Sequence, residues 1–84
     1  MARIVYFAWV RERIGIAEEE VDIPSSVKTA GELIAHLATF NENYEAAFEI
    51  LDVIRVAVNH ELVGHDETIV GAREIGIFPP MTGG

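Results

Sequence analysis

The sequence predicts one small α+β domain, and three observations support this prediction. The chain has 84 residues, a length that suits a single hydrophobic core. Half of its residues are apolar, which argues against disorder. The apolar residues change period along the chain, from strand-like runs to helical spacing and back again. We therefore expect one domain at residues 1–78, followed by an extended, flexible tail at residues 79–84 that ends in Gly-Gly.

The N-terminal segment predicts a β-hairpin. The run Arg3–Val10 is rich in β-branched and aromatic residues and predicts a strand. After a polar turn around Gly15, Val21 and Ile23 alternate with polar residues and predict a second strand, which Pro24 ends. Two such runs so close in sequence favour a hairpin.

The middle of the chain predicts two helices. Thr29 and Glu32 form a T-x-x-E capping box, in which the hydroxyl and the carboxylate each satisfy a backbone donor at a helix start. The apolar residues of this main helix follow the spacing of one buried face: Ala30, Leu33, Ile34 and Leu37. Asn41 and Asn43 interrupt the pattern. It then repeats over a shorter second helix: Tyr44, Ala47, Phe48 and Leu51.

The remainder of the chain predicts strands. Three are expected: Val53–Val58, Glu61–Val63 and Glu74–Phe78. A tight turn at Asn59 and His60 joins the first two, a loop at 64–71 follows, and Pro79 ends the last. This order of elements indicates a ubiquitin-like, or β-grasp, fold: a mixed sheet of about five strands packed against one main helix and a short second helix. By analogy with that fold, we expect the first and last strands to be adjacent and parallel.

Alternation within these strands predicts which side chains face the helix. Four residues are expected to do so: Ile4, Tyr6, Ile75 and Ile77. Four fall on the opposite face: Val5, Phe7, Trp9 and Phe78. We expect Leu62 to join them, and an exposed apolar cluster of this size indicates a binding surface. Phe7, Leu62 and Phe78 are therefore the predicted partner contacts. The alternative is a one-residue error in register, which would make these residues part of an ordinary core.

Composition argues against several functional classes. The formal net charge is −8, and only six Lys and Arg residues are scattered along the chain, so we expect no nucleic-acid partner. The acidic segment around Glu18, Glu19, Glu20 and Asp22 has two interpretations: solubility through self-repulsion, or attraction to a basic protein. The chain has no cysteine and no run of roughly 20 apolar residues, so we expect a cytoplasmic protein without membrane contact.

The side chains supply no evident active site. The two serines lie at a predicted helix entry, and no Walker-type or G-x-G-x-x-G loop occurs. The three histidines, His36, His60 and His65, lack metal-ligand spacing, although a site formed by His60, His65 and Asp66 stays open as a minor alternative. We therefore expect no bound cofactor and no metal. The carboxylate of Gly84 is the reactive group that remains.

The segment FPPMTGG is suited to presenting that carboxylate to another protein. Pro79 and Pro80 favour a stiff polyproline conformation, while Gly83 and Gly84 carry no Cβ and fit a narrow channel. Fully extended, the residues after Phe78 reach roughly 20 Å. Two interpretations are open: delivery of a carboxylate into a partner's pocket, or a flexible end without function.

Three segments carry a resemblance to a known family. They are FAWVRERIG at Phe7–Gly15, AVN at Ala57–Asn59 and EIGIFPPMTGG at Glu74–Gly84. In this order, and over essentially the whole chain, they resemble the MoaD-type sulfur carriers, the family of small subunits of molybdopterin synthase. Arg11 and Glu12 are motif positions for which we expect an ion pair that anchors the loop.

The resemblance implies a specific chemistry for Gly84. An adenylyltransferase similar to the ubiquitin-activating enzymes would use ATP to form an acyl-adenylate there, and sulfur would displace AMP to leave a thiocarboxylate. The loaded tail would enter the large synthase subunit, within a heterotetramer of two small and two large subunits. It would pass sulfur to cyclic pyranopterin monophosphate, which becomes the dithiolene of molybdopterin. The tail residues implied in this contact are Pro79, Pro80, Met81 and Thr82, with Gly83 beside the reactive group.

Three alternatives are open beside this function. The chain would be a sulfur carrier for another product, such as the thiamine thiazole or a thiolated tRNA base. It would be a ubiquitin-like modifier joined to lysines, or a passive interaction module with an inert tail. If the chain is instead the small subunit of molybdopterin synthase, the catalytic side chains belong to the large subunit, which agrees with the lack of an evident active site in this sequence.

Overall fold

One mixed sheet organises the computed structural model, which describes residues 1–80. Its strands are β1 Ala2–Tyr6, β2 Glu18–Val21, β3 Arg55–Val58, β4 Glu61–Val63 and β5 Glu74–Phe78. They lie side by side in the order β2-β1-β5-β3-β4. β1 pairs antiparallel with β2 and parallel with β5, while β3 pairs antiparallel with β5 and β4. The expected antiparallel pairing of the first two strands and the expected parallel pairing of the first and last strands are confirmed, although a helix and not a simple turn connects the first two.

Three α-helices are described: α1 Ala8–Ile14, α2 Ala30–Leu37 and α3 Glu42–Ala47. The capping box predicted for α2 is confirmed, because the Thr29 hydroxyl accepts from the Glu32 N–H at 3.2 Å and the Glu32 carboxylate accepts from the Thr29 N–H at 3.0 Å. Backbone donors at Lys28 and Thr29 also hold the pKa of Glu32 below its usual range. Asn41, which the sequence marked only as an interruption, is the N-cap of α3.

The strand predicted at Arg3–Val10 is wrong beyond Tyr6, because the chain turns there and continues as α1. Ala8 takes a positive φ of 51° at this turn. Val10 and Ile14, four residues apart, are the buried residues of the helix. The local composition favours a strand. The helix forms instead because it buries Val10 and Ile14 where α1 contacts α3 and β5. Gly15 ends α1 with φ 99°, and its N–H donates to the Arg11 carbonyl at 2.8 Å.

Two other boundaries differ from the prediction. β2 ends at the buried Val21, so Ile23 lies beyond the strand and is half-buried. A 3-10 helical turn at Leu51–Val53 precedes β3, which shortens that strand by two residues. The turn predicted at Asn59 and His60 is confirmed, and both residues have the positive φ of a tight hairpin turn.

The core lies between one face of the sheet and the helices. The residues predicted to face the helices are each at most 1% exposed: Ile4, Tyr6, Ile75 and Ile77. They pack with the buried face of α2, which consists of Ala30, Leu33, Ile34 and Leu37. The predicted register is therefore confirmed, and the other face of the sheet, called the outer face below, is not covered by the helices of the described chain.

Candidate functional site

A row of small and apolar residues crosses the outer face. Val5, Gly76, Ala57 and Leu62 are successive partners across β1, β5, β3 and β4. The Phe7 ring lies over this row, because a Cβ added to Gly76 would come within 3.2 Å of the Phe7 Cε2 atom. Glycine at this position therefore allows an aromatic ring to lie close to the sheet.

An open groove of about 650 Å³ lies beside this row, at the end of β5. Its lining residues are Phe7, Ala8, Trp9, Ala57, Phe78, Pro79 and Pro80. The rings of Phe7 and Phe78 meet edge to face with their centroids 6.2 Å apart. Leu62 does not line the groove but lies on the same face beside Ala57.

The structure thus brings together the described partner contacts that the sequence predicted. Phe7 is 46% exposed and Leu62 is 65% exposed, values that suit contact with another protein rather than a core role. Pro79 is buried and Pro80 is half-buried, so the start of the predicted tail packs against the domain. The other predicted tail residues lie outside the described residues: Met81, Thr82, Gly83 and Gly84.

Trp9 lines the groove, but it does so from a helix and not from the predicted strand. It lies on α1 rather than on a strand, and its half-buried ring forms part of the groove wall. The Arg13 guanidinium lies 4.6 Å from the centroid of that ring, which is a cation–π contact. The helix therefore presents an aromatic side chain to the same groove as β1 and β5.

The opposite end of the outer face is polar. Arg3 lies 3.3 Å from a Glu18 carboxylate oxygen and 3.9 Å from one of Glu74. His60 Nε2 lies 3.4 Å from the other Glu74 carboxylate oxygen. The outer face is thus divided along its strands into an ion-paired end and an apolar end.

Arg11 and Glu12 do not form the predicted ion pair. Both lie exposed on α1, and within residues 1–80 neither is in a salt bridge. The expectation of a loop anchor rested on a loop where the structure has a helix, so the two side chains project to solvent.

Asn59 has a structural role that the sequence did not reveal. Its side-chain oxygen accepts hydrogen bonds from the backbone N–H groups of Arg73, at 3.1 Å, and of Glu74, at 3.2 Å. Its own N–H donates to the Glu74 carbonyl at 2.8 Å. These bonds fix the start of β5, the strand that carries Phe78 to the groove. The AVN motif marked the position, but only the tertiary structure shows the bonds.

One member of the acidic segment is structural. A single carboxylate oxygen of Glu19 accepts hydrogen bonds from the hydroxyls of Tyr6 and Tyr44, each at 2.7 Å. Burial, together with the hydrogen bond to Glu19 and the charge of its carboxylate, raises the pKa of both phenols. This bridge ties β2 to β1 and α3, so Glu19 contributes to the fold and not only to solubility.

The minor metal-site alternative gains no support. The Nε2 atom of His65 lies 2.6 Å from the Ile54 carbonyl, so this nitrogen is the donor of a hydrogen bond. Across residues 1–80 no group of three or more His, Cys, Asp or Glu residues is placed to hold a metal ion. In the same part of the chain, no helix is both long and apolar enough to cross a membrane.

Comparison with known proteins extends these observations. The model of the ThiS family matches residues 4–84. A molybdopterin synthase sulfur carrier subunit from Escherichia coli (strain K12) is 31% identical over 84 residues, which is the whole of both chains.

Two solved structures share the fold. A putative molybdopterin converting factor, subunit 1, from Pyrococcus furiosus has a TM-score of 0.70 at 25% identity, over 95% of this chain and 97% of that one. SAMP1 from Haloferax volcanii has a TM-score of 0.71 at 25% identity, over 99% of this chain and 98% of that one. These similarities confirm the predicted β-grasp fold.

Proposed function

The chain belongs to the ThiS family, and on that premise we propose that it is the sulfur carrier subunit of a molybdopterin synthase. The observation that carries the proposal is the match over residues 4–84, which includes the FPPMTGG segment. The sulfur carrier subunit from Escherichia coli, similar over its whole length, supports the choice of pathway.

The proposed chemistry takes place at Gly84. Its carboxylate attacks the α-phosphorus of ATP on a partner adenylyltransferase, pyrophosphate leaves, and an acyl-adenylate forms. A hydrosulfide equivalent adds to the activated carbonyl and AMP leaves, so a thiocarboxylate remains. Its sulfur is a good nucleophile and attacks a carbon of cyclic pyranopterin monophosphate, where an oxygen substituent leaves, so that a C–S bond replaces a C–O bond. Water then hydrolyses the acyl bond, so that Gly84 is again a carboxylate and the product keeps the sulfur.

The described residues supply docking rather than catalysis. In this proposal Phe7, Leu62 and Phe78 bind the large synthase subunit. The position of Pro79 in the lining of the neighbouring groove supports it, because the tail would then begin beside the docking surface. The reactive end of the chain therefore reaches the partner through the same contact that holds the two subunits together. The catalytic side chains belong to the large subunit, in a heterotetramer of two small and two large subunits.

The test is an intact mass measurement. The chain is incubated with its host's adenylyltransferase, ATP and a sulfur source. We expect a mass increase equal to the replacement of one oxygen by sulfur, and no increase in a variant that lacks Gly84. Addition of the large subunit and the pterin precursor then discriminates this pathway from another sulfur transfer. If the full-length chain gains no mass while the same enzyme loads another carrier, the thiocarboxylate mechanism is wrong.

A second candidate function is that of a ubiquitin-like modifier. The similarity to SAMP1 over nearly the whole of both chains favours it. In this case Gly84 would form an amide with lysine side chains of other proteins. Adducts of higher mass that contain an isopeptide bond, and that disappear when Gly84 is deleted, would support this function.

A further inference from the structure

The basic residues of the outer face fall into two groups. Arg3, at the polar end, is paired with Glu18 and Glu74. At the apolar end, Arg13 lies over the Trp9 ring, while Arg11 and Arg55 are exposed, and within residues 1–80 neither Arg11 nor Arg55 takes part in a salt bridge. In a chain of net charge −8, two exposed arginines outside any salt bridge of the described residues are available to a partner.

Arg55 lies directly beside Phe78. The two residues are partners in the antiparallel pairing of β3 with β5, so their side chains project from the same face of the sheet. Phe78 lines the groove and contacts Phe7. Arg55 is therefore the β3 neighbour of a groove-lining residue, on the same face of the sheet.

Arg11 is an exposed residue of α1, the helix that contributes Ala8 and Trp9 to the groove wall. It lies four residues after Phe7, and its N–H donates to the Phe7 carbonyl at 3.3 Å, so its backbone lies one helical turn from the residue that precedes α1. Val10 and Ile14 are the buried residues of α1, and Arg11 lies on its exposed side. The two arginines thus approach the Phe7–Phe78 pair from different elements.

We propose that Arg11 and Arg55 form a basic rim around this apolar surface and pair with carboxylates on the large subunit. The inference rests on the proposed function and goes further, since it states that the partner's surface is acidic where it meets these arginines. Specific interfaces combine an apolar centre with a polar rim, and arginine is enriched in them because its fork binds a carboxylate through two hydrogen bonds. A partner that buries Phe7 and Phe78 brings its own rim within reach of both guanidinium groups.

The overall charge makes this local contact selective. A net charge of −8 repels an acidic protein at long range. A partner whose acidic residues are scattered over its surface therefore gains no electrostatic attraction from the chain as a whole. Carboxylates placed opposite Arg11 and Arg55 gain attraction at short range. The rim therefore discriminates by the position of the acidic residues and not by their number.

Charge reversal tests the rim. Arg11→Glu and Arg55→Glu are compared with Arg73→Glu, an equal change of charge at an exposed arginine that precedes β5, at the other end of that strand from Phe78. Binding to the large subunit is measured by titration calorimetry or surface plasmon resonance. We expect each rim variant to weaken binding roughly tenfold, and the control to bind as the natural chain does. The loss should shrink in about 1 M salt, where charges act over only about 3 Å.

The outcomes separate the inference from the proposed function. If the natural chain does not bind the large subunit, the proposed function is wrong. If it binds, and Arg73→Glu weakens binding as much as Arg55→Glu, the effect is one of net charge and the basic rim is refuted. Should a reversal impair folding, as judged by thermal denaturation, Arg11→Gln and Arg55→Gln replace it with an expected loss of about twofold to fivefold.

Discussion

Replacement of Leu62 by alanine gives the sharpest test of the docking surface. Leu62 is 65% exposed, so about two thirds of its side chain is available for burial by a partner. Complete burial of a leucine is worth about 1.5–3 kcal/mol, so the contact contributes about 1–2 kcal/mol. At about 1.4 kcal/mol for each factor of ten, this predicts that Leu62→Ala raises the Kd for the large subunit about 5- to 30-fold.

The assay pairs binding with stability. Kd is measured by titration calorimetry, and the free energy of unfolding by urea denaturation. Because Leu62 is exposed in the free chain, we expect its unfolding free energy to change by less than about 0.5 kcal/mol. Val70→Ala is the matched control, since Val70 is 73% exposed but lies in the loop between β4 and β5. If Leu62→Ala binds the large subunit as tightly as Val70→Ala, the outer face is not the docking surface.

Three further predictions concern the bonds that hold the site in place. Glu19→Ala should lower the unfolding free energy by about 2–3 kcal/mol, because it leaves the buried Tyr6 hydroxyl and its Tyr44 neighbour without their acceptor. Glu20 lies exposed on the same strand, so Glu20→Ala should change the unfolding free energy by less than about 0.5 kcal/mol in the same urea titration. If both variants lose the same unfolding free energy, the bridge through Glu19 is contradicted. The folded state raises the pKa of both tyrosines above their ordinary value of 10.0, so their contribution to stability is complete below that pH and is lost as pH rises above it. Urea titrations at a series of pH values above 10.0 should show an unfolding free energy that falls by up to about 1.4 kcal/mol per pH unit for each tyrosine. The fall should be shallower in Tyr44→Phe. An unfolding free energy that does not change with pH would count against the raised pKa values. Asn59→Ala should cost about 1–2 kcal/mol and speed amide hydrogen exchange at the start of β5, whereas unchanged exchange there would show that the backbone bonds suffice without the side chain.

The sequence by itself determined most of the element order and which face of the sheet is turned away from the helices. The change from strand period to helix period and back predicted the order of the five strands, α2 and α3, because each period places apolar residues on one side of its own element. The T-x-x-E pattern located the start of α2, since a capping box needs only residues that are neighbours along the chain. Alternation along β1 and β5 was sufficient to assign Phe7 and Phe78 to the outer face.

Only the tertiary structure decided features that depend on residues far apart in sequence. The segment after Tyr6 has the composition of a strand, yet it forms α1, because Val10 and Ile14 are buried where the helix contacts α3 and β5. The bonds of Asn59 join positions 14 and 15 residues apart, and the bridge from Glu19 to Tyr44 joins positions 25 apart. Such pairs leave no local pattern, because their partners become neighbours only when the sheet brings distant segments together.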